Sequence, residues 1–280
     1  LYCGAKVDFV DIDPKTSNMS IVSLRQKLHA AQKTGDLPKA LIPVHLTGEP
    51  CDMVSIKDLA DEFGFKIIED ASHAIGGRYG QQPIGACEYS DITVFSFHPV
   101  KIVTTGEGGA ALTNDEEIDQ KLKLLRSHGI TRDKSLMKFP CKDSWYYEQI
   151  DLGFNYRMTD IHAALGLSQL KRLDEYVEKR HEIAKYYDSA FSDFDVKIPV
   201  RAVENLSALH LYVIKVDASR HREIFQLLIE RNIGVNLHYI PVHTHPYYQK
   251  LGFKWGDYPN SESYYKRAIS LPIYPTLEFE

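Results

Sequence analysis

The chain has 280 residues, of which 25% are charged and 44% hydrophobic, and its formal net charge is -5. This length suffices for one large domain or two unequal ones with a sizeable core. The mildly acidic balance gives no electrostatic basis for binding nucleic acid or an anionic membrane, and no apolar run approaches the ~20 residues of a membrane span. The four cysteines are scattered without a C-x-x-C pair, which argues against a disulfide framework or structural zinc and predicts a reducing cytoplasm.

Short apolar strands alternate with amphipathic helices in the first half of the chain. This alternation predicts an α/β fold with a largely parallel sheet. In chain order the predicted elements are a strand at 6–11, a helix at 23–32, strands at 41–46, a helix at 55–63, strands at 65–70, 92–97 and 109–113, and a helix at 115–127.

The second half predicts a polar, aromatic loop over 129–149 and then a long helix. Thr159 or the residue after it can cap this helix, and its broad apolar face predicts that it runs to about Ala190. Beyond it we predict a strand, a helix and a strand at 209–216, 220–231 and 235–239. The pattern therefore predicts a large domain over 1–185 and a small C-terminal α+β domain over 186–280.

Polar side chains follow two of the predicted buried strands. Asp70 ends one strand, Ser96 lies at the end of the next, and Lys101 comes directly after it. Ligands of open α/β sheets bind at the carboxyl edge of the strands, so we expect these residues to be neighbours. A lysine held deprotonated forms a Schiff base with an aldehyde cofactor. A carboxylate beside a pyridine nitrogen keeps that nitrogen protonated, and Ser96 with the nearby glycines can hydrogen bond a phosphate.

Each of these residues also has an ordinary structural interpretation. A lysine in a glycine-rich loop is usually solvated, and Asp70 can serve as a helix cap. His73, three residues on, is more often a satisfied core histidine than a catalytic group. Spacing alone leaves both interpretations open.

The motifs around these residues resemble a known family over essentially the whole chain. The matching segments are 70–74 (DASHA), 94–101 (VFSFHPVK), 105–109 (TGEGG), 126–132 (RSHGITR), 151–158 (DLGFNYRM) and 236–243 (NLHYIPVH). They resemble the sugar aminotransferases of the DegT/DnrJ/EryC1/StrS family. The resemblance implies fold type I of the pyridoxal-phosphate enzymes, which is the aspartate-aminotransferase fold, and a homodimer with active sites at the subunit interface.

The resemblance also implies a role for each matched position. Lys101 matches the lysine that carries pyridoxal 5'-phosphate and shuttles a proton during transfer. Asp70 matches the partner of the pyridinium nitrogen, and His73 the contact of the ring hydroxyl. Ser96 matches a phosphate contact. Asn155 matches a residue that reaches the phosphate of the neighbouring subunit's cofactor, although a loop residue capping the next helix is its simpler interpretation.

Within the family, the chain most resembles the branch that uses L-glutamate to aminate C4 of a UDP-linked 2-acetamido-2,6-dideoxy-4-keto-hexose. The product of that branch is UDP-4-amino-4,6-dideoxy-N-acetyl-β-L-altrosamine, an intermediate toward pseudaminic acid, which decorates bacterial surface structures. The segments that carry this resemblance are 127–133, 145–149, 151–156 and 268–272.

An aromatic, histidine-rich stretch from His238 to Tyr248 is predicted to contact the nucleotide-sugar, with Tyr239 and His243 as the contacts. A metal site is not predicted there, because no carboxylate or cysteine lies nearby at ligand spacing.

The family's Ser-Gly-Thr segment, which cradles the cofactor phosphate, does not occur here, so we expect the first part of the protein and its last helix to lie outside this chain.

Three alternatives to this function stay open. The acceptor can be another nucleotide-linked keto sugar. The chain can be a dehydratase, in which a histidine replaces the lysine, although Lys101 argues against this. A non-catalytic sugar-nucleotide sensor is the third, disfavoured by the intact Asp70 and Lys101.

Overall fold

The computed structural model describes residues 1–139 and 141–278. Its strands are β1 (Ala40–Leu41), β2 (Lys66–Asp70), β3 (Arg78–Tyr79), β4 (Gln82–Pro83), β5 (Ile92–Ser96), β6 (Gly109–Leu112), β7 (Ile130–Thr131), β8 (Glu148–Gln149), β9 (Tyr212–Lys215) and β10 (Ala268–Leu271). Its helices are α1 (Ile21–Thr34), α2 (Met53–Phe63), α3 (Glu116–Arg126), α4 (Asp160–Leu170), α5 (Leu173–Ala190), α6 (His221–Glu230), α7 (Pro246–Gln249) and α8 (Pro259–Tyr265), with 3-10 turns at Leu46–Gly48 and Val242–Thr244.

The main sheet has the strand order β1-β2-β5-β6. The first three strands are parallel and β6 runs antiparallel to β5. This mixed, mostly parallel sheet with flanking helices confirms the predicted α/β class. Because β2 and β5 are parallel and paired, Asp70 and Ser96 both end at the same edge of the sheet.

The helices begin where the sequence supplies side-chain caps. Ser20, Asp52, Asp115 and Thr159 each accept a hydrogen bond from a backbone amide in the first turn of α1, α2, α3 and α4. Such caps satisfy amides that have no partner within the helix. The predicted helices at 23–32, 55–63 and 115–127 are therefore confirmed, each to within two residues at either end.

Two predicted strands are wrong because side chains take the amides that a strand would need. In the segment 6–11, Asp8 accepts from the amide of Phe9, and Asp11 accepts from the amide of Ile12. In the segment 235–239, Asn236 accepts from the amide of Leu237. Such local bonds compete with a strand ladder. The strand that pairs with β9 is β10, and the segment 235–239 adds only one bridge, from Asn236 to Ser270 of β10.

Two further boundaries need correction. The predicted strand at 41–46 shortens to β1, with one bridge from Val44 to Asp70 beyond it. The single long helix predicted to run to Ala190 is two helices, α4 and α5. The chain leaves the helical path at Arg172, whose φ is -110°.

Helix α5 joins two parts of the core. Leu173 and Tyr176, near its start, pack on a cluster beside β2 and β5. Ile183 and Ala184, further along, belong to a cluster with β9 and β10. The domain boundary predicted near residue 185 stays a prediction. Among residues 1–139 and 141–278, no helix has the length and apolar character needed to cross a membrane.

A buried carboxylate ties the centre of the sheet to the turn that follows β1. Glu69 is 4% exposed and points away from the Asp70 face of β2. His45 lies 2.8 Å from one of its oxygens, while the hydroxyls of Ser90 and Thr93 donate to the other. Burial alone would raise the pKa of Glu69, but the hydrogen bond with His45 and the charge of that ring bring it below its usual value.

The substitution Glu69→Gln tests this anchor. An amide group presents its own N–H hydrogens where donors converge on the carboxylate, so we expect the free energy of unfolding to fall by about 2 kcal/mol in urea titrations. The control is Asp119→Asn, which removes an exposed partner of Lys123 and should change stability by less than about 0.5 kcal/mol. Equal small effects of both substitutions would show that the network contributes little.

Candidate active site

A small apolar cluster lies directly beneath the polar residues at the sheet edge. We call it the central cluster, and its buried members are Ala71, Ala74, Ile75, Phe95, Ile102, Val103 and Ala208. Each of them lies within two residues of Asp70, His73, Ser96, Lys101 or His210. Packing these apolar residues together therefore brings residues 70, 73, 96, 101 and 210 to one place.

Lys101 and Asp70 are electrostatic neighbours at this edge. The backbone amide of Lys101 donates to the His98 carbonyl at 2.9 Å, within the turn that follows β5. Asp70 is held at the end of β2, where one of its carboxylate oxygens accepts from the Ser72 amide at 3.0 Å. Burial lowers the pKa of the Lys101 amine, while the negative charge of Asp70 acts in the opposite direction. A lowered pKa favours the neutral amine that attack on an aldehyde requires.

His73 is 6% exposed, and polar groups meet both of its ring nitrogens. The Thr47 amide donates to Nδ1 at 3.3 Å, and the Tyr239 hydroxyl lies 3.2 Å from Nε2. Burial lowers the pKa of His73 to about 3, and the positive charge of Lys101 acts in the same direction. His73 is therefore neutral at physiological pH, and the Thr47 bond places its single proton on Nε2.

Two more histidines, His210 and His238, line the site, and the sequence marked only His238, as the first residue of the histidine-rich stretch. The ring of His210 lies 4.5 Å from that of His73, centroid to centroid. Burial lowers the pKa of His210 to about 2. His238 is half-buried, hydrogen bonds Ser270 at 2.8 Å and senses the charge of Lys101. No spacing signal marks His210, because it belongs to an apolar run that reads as the start of a strand.

The remaining predicted residues lie in different surroundings. Ser96 lies at the end of β5, where its hydroxyl accepts from the His98 amide at 3.4 Å. His243 is only 3% exposed and bonds Glu262 at 3.0 Å, with its ring against Tyr258. The bond with Glu262 makes His243 part of the local packing, and its predicted contact with the substrate stays a prediction. Tyr239, by contrast, reaches His73.

Asn155 lies on the protein surface beyond the end of α3. It forms a bridge with Ser127, and its neighbours are bonded to the same region, from the His128 amide to the Phe154 carbonyl and from the Tyr156 amide to the Arg126 carbonyl. This arrangement leaves Asn155 exposed at the surface.

The whole chain, residues 1–280, matches the model of the DegT/DnrJ/EryC1/StrS aminotransferase family. The chain belongs to this family. It is 42% identical over 284 residues to the spore coat polysaccharide biosynthesis protein SpsC of Bacillus subtilis, which covers 99% of this chain and 71% of that protein. It is 35% identical over 287 residues to the UDP-4-amino-4,6-dideoxy-N-acetyl-beta-L-altrosamine transaminase of Campylobacter jejuni, with coverages of 100% and 71%.

Solved structures agree with this membership. The fold matches that of Helicobacter pylori PseC, an aminotransferase involved in the biosynthesis of pseudoaminic acid, with a TM-score of 0.88. The identity is 31%, and the match covers 99% of this chain and 71% of PseC. The chain is thus an aminotransferase of fold type I, a class that depends on pyridoxal 5'-phosphate.

The side chains at the sheet edge suit that cofactor. Asp70 supplies an acceptor for a protonated ring nitrogen, and Lys101 an amine with a lowered pKa for the aldehyde. His73 is a neutral donor, and Ser96 adds a hydroxyl at the strand end. This set of one acid, one amine and two hydrogen-bond donors matches the cofactor's ring nitrogen, aldehyde, ring oxygen and phosphate.

A glycine in the Leu46–Gly48 turn permits the site to pack closely. A Cβ atom on Gly48, whose φ is 102°, would lie 2.8 Å from both the His73 carbonyl oxygen and the Leu209 nitrogen. Gly252 has nearly the same φ, 105°, but nothing within 4 Å of such an atom.

We expect Gly48→Ala to lower the free energy of unfolding by about 3 kcal/mol, from crowding added to backbone strain. Gly252→Ala carries the backbone strain alone and should cost about 1 kcal/mol. The difference between the two variants in the free energy of unfolding, measured by urea titration, gives the cost of the steric crowding alone. Equal losses would mean that the turn can move away from His73 without cost.

Proposed function

We propose that this protein transfers an amino group from L-glutamate to C4 of a UDP-linked 2-acetamido-2,6-dideoxy-4-keto-hexose. The product is UDP-4-amino-4,6-dideoxy-N-acetyl-β-L-altrosamine, a precursor of pseudaminic acid. The observation that carries the catalytic part is the electrostatic influence of Asp70 on a partly buried Lys101 at the carboxyl edge of the sheet. The sugar is supported by the names of the Campylobacter jejuni and Helicobacter pylori relatives.

Each residue has a distinct task in this proposal. Bound pyridoxal phosphate supplies an electron sink for the carbon that loses or gains a proton. Lys101 holds the cofactor covalently at rest, and its freed Nζ moves the proton to and from the reacting carbon. Asp70 keeps the ring nitrogen protonated. His73 donates from Nε2 to the ring oxygen, and Ser96 donates to the phosphate.

We further propose a homodimer in which Asn155 reaches the cofactor phosphate of the neighbouring subunit. The side chains around Asn155 support this, because they are large, apolar and exposed. Leu152 is 84% exposed and Ile161, at the start of α4, is 82% exposed. The rings of Phe154 and Tyr156 stack with their centroids 4.9 Å apart, and both side chains are exposed.

A cytoplasmic location remains a prediction from the free cysteines.

One alternative acceptor has a specific observation in its favour. The Bacillus subtilis relative, at 42% identity, is more similar to this chain than the Campylobacter jejuni transaminase at 35%, and its name assigns it to spore coat polysaccharide synthesis. The acceptor can therefore be a different nucleotide-linked keto sugar. A non-catalytic sensor would need neither a reactive Lys101 nor its acidic partner.

The first test is Lys101→Ala. We expect this variant to lose the visible absorbance of the lysine-bound cofactor and to transfer amino groups at least about 10²-fold more slowly, because the proton carrier is gone. The matched control is Lys179→Ala, which alters an exposed ion pair on α5 and should leave both properties unchanged. Turnover by the Lys101 variant at the rate of the unsubstituted enzyme would refute the assignment.

The second test separates the two half-reactions. Adding L-glutamate to the cofactor-loaded enzyme should remove the absorbance of the lysine-bound cofactor, and adding the UDP-linked 4-keto sugar should restore it. Loss without return would mean that the acceptor is another keto sugar. If no such band forms on loading, the protein is a sensor instead.

A further inference from the structure

The Thr47 backbone adopts a conformation that is unusual for its side chain. Its φ is 65°, in the left-handed region, where β-branched residues are rare because the Cβ atom crowds the backbone. The surrounding structure holds it there from both sides. The Thr47 carbonyl accepts from the Leu211 amide at 3.2 Å, and the Gly48 carbonyl accepts from the Ala208 amide at 3.0 Å.

The result of this strained turn is one directed hydrogen bond. Its amide donates to Nδ1 of His73 at 3.3 Å. A ring nitrogen that accepts cannot carry a proton, so the neutral ring must hold its proton on Nε2. Strained backbone that is over-determined by its neighbours is concentrated at functional sites.

His210 covers one face of the same ring. The two rings are tilted by 41° with their centroids 4.5 Å apart, and His210 is 7% exposed. Its backbone cannot shift easily, because the buried Arg180 donates to the carbonyls of Leu209 and His210 at 3.0 and 3.2 Å. The contact of the His210 ring with His73 therefore comes from a segment whose backbone is held in place by the Arg180 hydrogen bonds.

The His210 ring is held at a cost. Its Nδ1 is fully enclosed and has no hydrogen-bond partner among residues 1–139 and 141–278. An enclosed, unpaired polar group costs about 1–3 kcal/mol. A phenylalanine of similar shape would avoid that cost while presenting the same flat face.

We propose that Thr47 and His210 are positioning residues that fix His73 as the neutral tautomer with its proton on Nε2. Thr47 selects the nitrogen, and His210 keeps water from the face of the ring and prevents its rotation. This inference rests on the proposed contact of His73 with the cofactor. It explains how a residue that can carry its proton on either nitrogen serves as a dependable donor.

The fixed tautomer also determines the direction of the next hydrogen bond. Tyr239 lies 3.2 Å from Nε2 of His73, so in this structure its hydroxyl oxygen accepts the proton that the cofactor's ring oxygen would accept when bound. The charged and titratable groups around the two rings are Lys101, Asp70, His238 and Arg180. Of these, only the Asp70 carboxylate favours a charged His73, and burial outweighs it.

The test is nitrogen-15 NMR of the histidine rings in the cofactor-free full chain, with the His73 signals identified by their loss in His73→Gln. From pH 5 to 8 the unsubstituted protein should show one protonated and one unprotonated ring nitrogen at His73. In His210→Ala the two signals should average, and His73 should titrate in this range. If the alanine variant does not fold, His210→Leu replaces it, because leucine fills the space without a flat ring. This variant should show the same averaging of the two His73 signals and the same titration.

His210→Phe is the conservative variant and should preserve both the tautomer and the activity. In the cofactor-loaded enzyme, we expect His210→Ala to lower kcat about tenfold or more with little change in the KM for glutamate, since a misdirected donor impairs the chemistry rather than binding. The control is His221→Ala, which removes a histidine of α6 that bonds the Ala268 carbonyl.

Unchanged His73 signals in His210→Ala would overturn the inference, as would a phenylalanine variant that disturbs them as much as alanine does. The NMR result does not depend on turnover. An enzyme that fails to transfer amino groups while keeping the fixed tautomer would therefore refute the proposed function and leave the positioning role intact.

Discussion

The candidate site depends on the packing of the central cluster more than on any polar contact. Ile102 and Val103 are 5% and 0% exposed, and their burial holds the turn that carries Lys101 against the sheet. Ala208, also fully buried, brings the second half of the chain to the same point. Segments 70–75 and 95–103 meet through the pairing of β2 with β5, and the shared apolar contact adds the distant segment 208–211 to them. The chemistry at the surface of this cluster follows from its packing.

That packing also determines the electrostatics. The groups nearest to Lys101 are a carboxylate and three histidines, and burial lowers the pKa of each histidine. Neutral imidazoles add hydrogen-bonding capacity without adding a positive charge that would compete with a protonated ring nitrogen for Asp70. Glu69, on the opposite face of β2, keeps its charge inside the protein because His45, Ser90 and Thr93 bond it. Neighbouring acids on one strand thus serve separate purposes, one structural and one directed at the ligand.

The sequence predicted the part of the site that lies on strand ends and not the part that long-range packing assembles. Asp70 and Lys101 follow apolar strands, and the carboxyl edge of a parallel sheet is a general binding position. His210 and Thr47 carry no such signal, since their importance comes from contacts with His73 across 137 and 26 positions. The bond between His243 and the buried Glu262 likewise has no signal in the sequence, because the two residues meet only through packing. The strands predicted at 6–11 and 235–239 failed for a local reason, the capture of amides by Asp and Asn side chains.

The break between α4 and α5 separates a helix with large exposed apolar side chains from a helix that packs into the core. The α5 side chains at 173, 176, 183 and 184 contribute to the core, whereas α4 displays Ile161 and Leu167 at 82% and 65% exposure. In one continuous rigid helix, any change in the tilt of the exposed half would also displace the residues of the half that packs in the core. Because the helix is interrupted at Lys171 and Arg172, α4 can change its orientation while the packing of α5 in the core stays the same. A lineage built on this chain can therefore alter what meets that surface without rebuilding the hydrophobic interior.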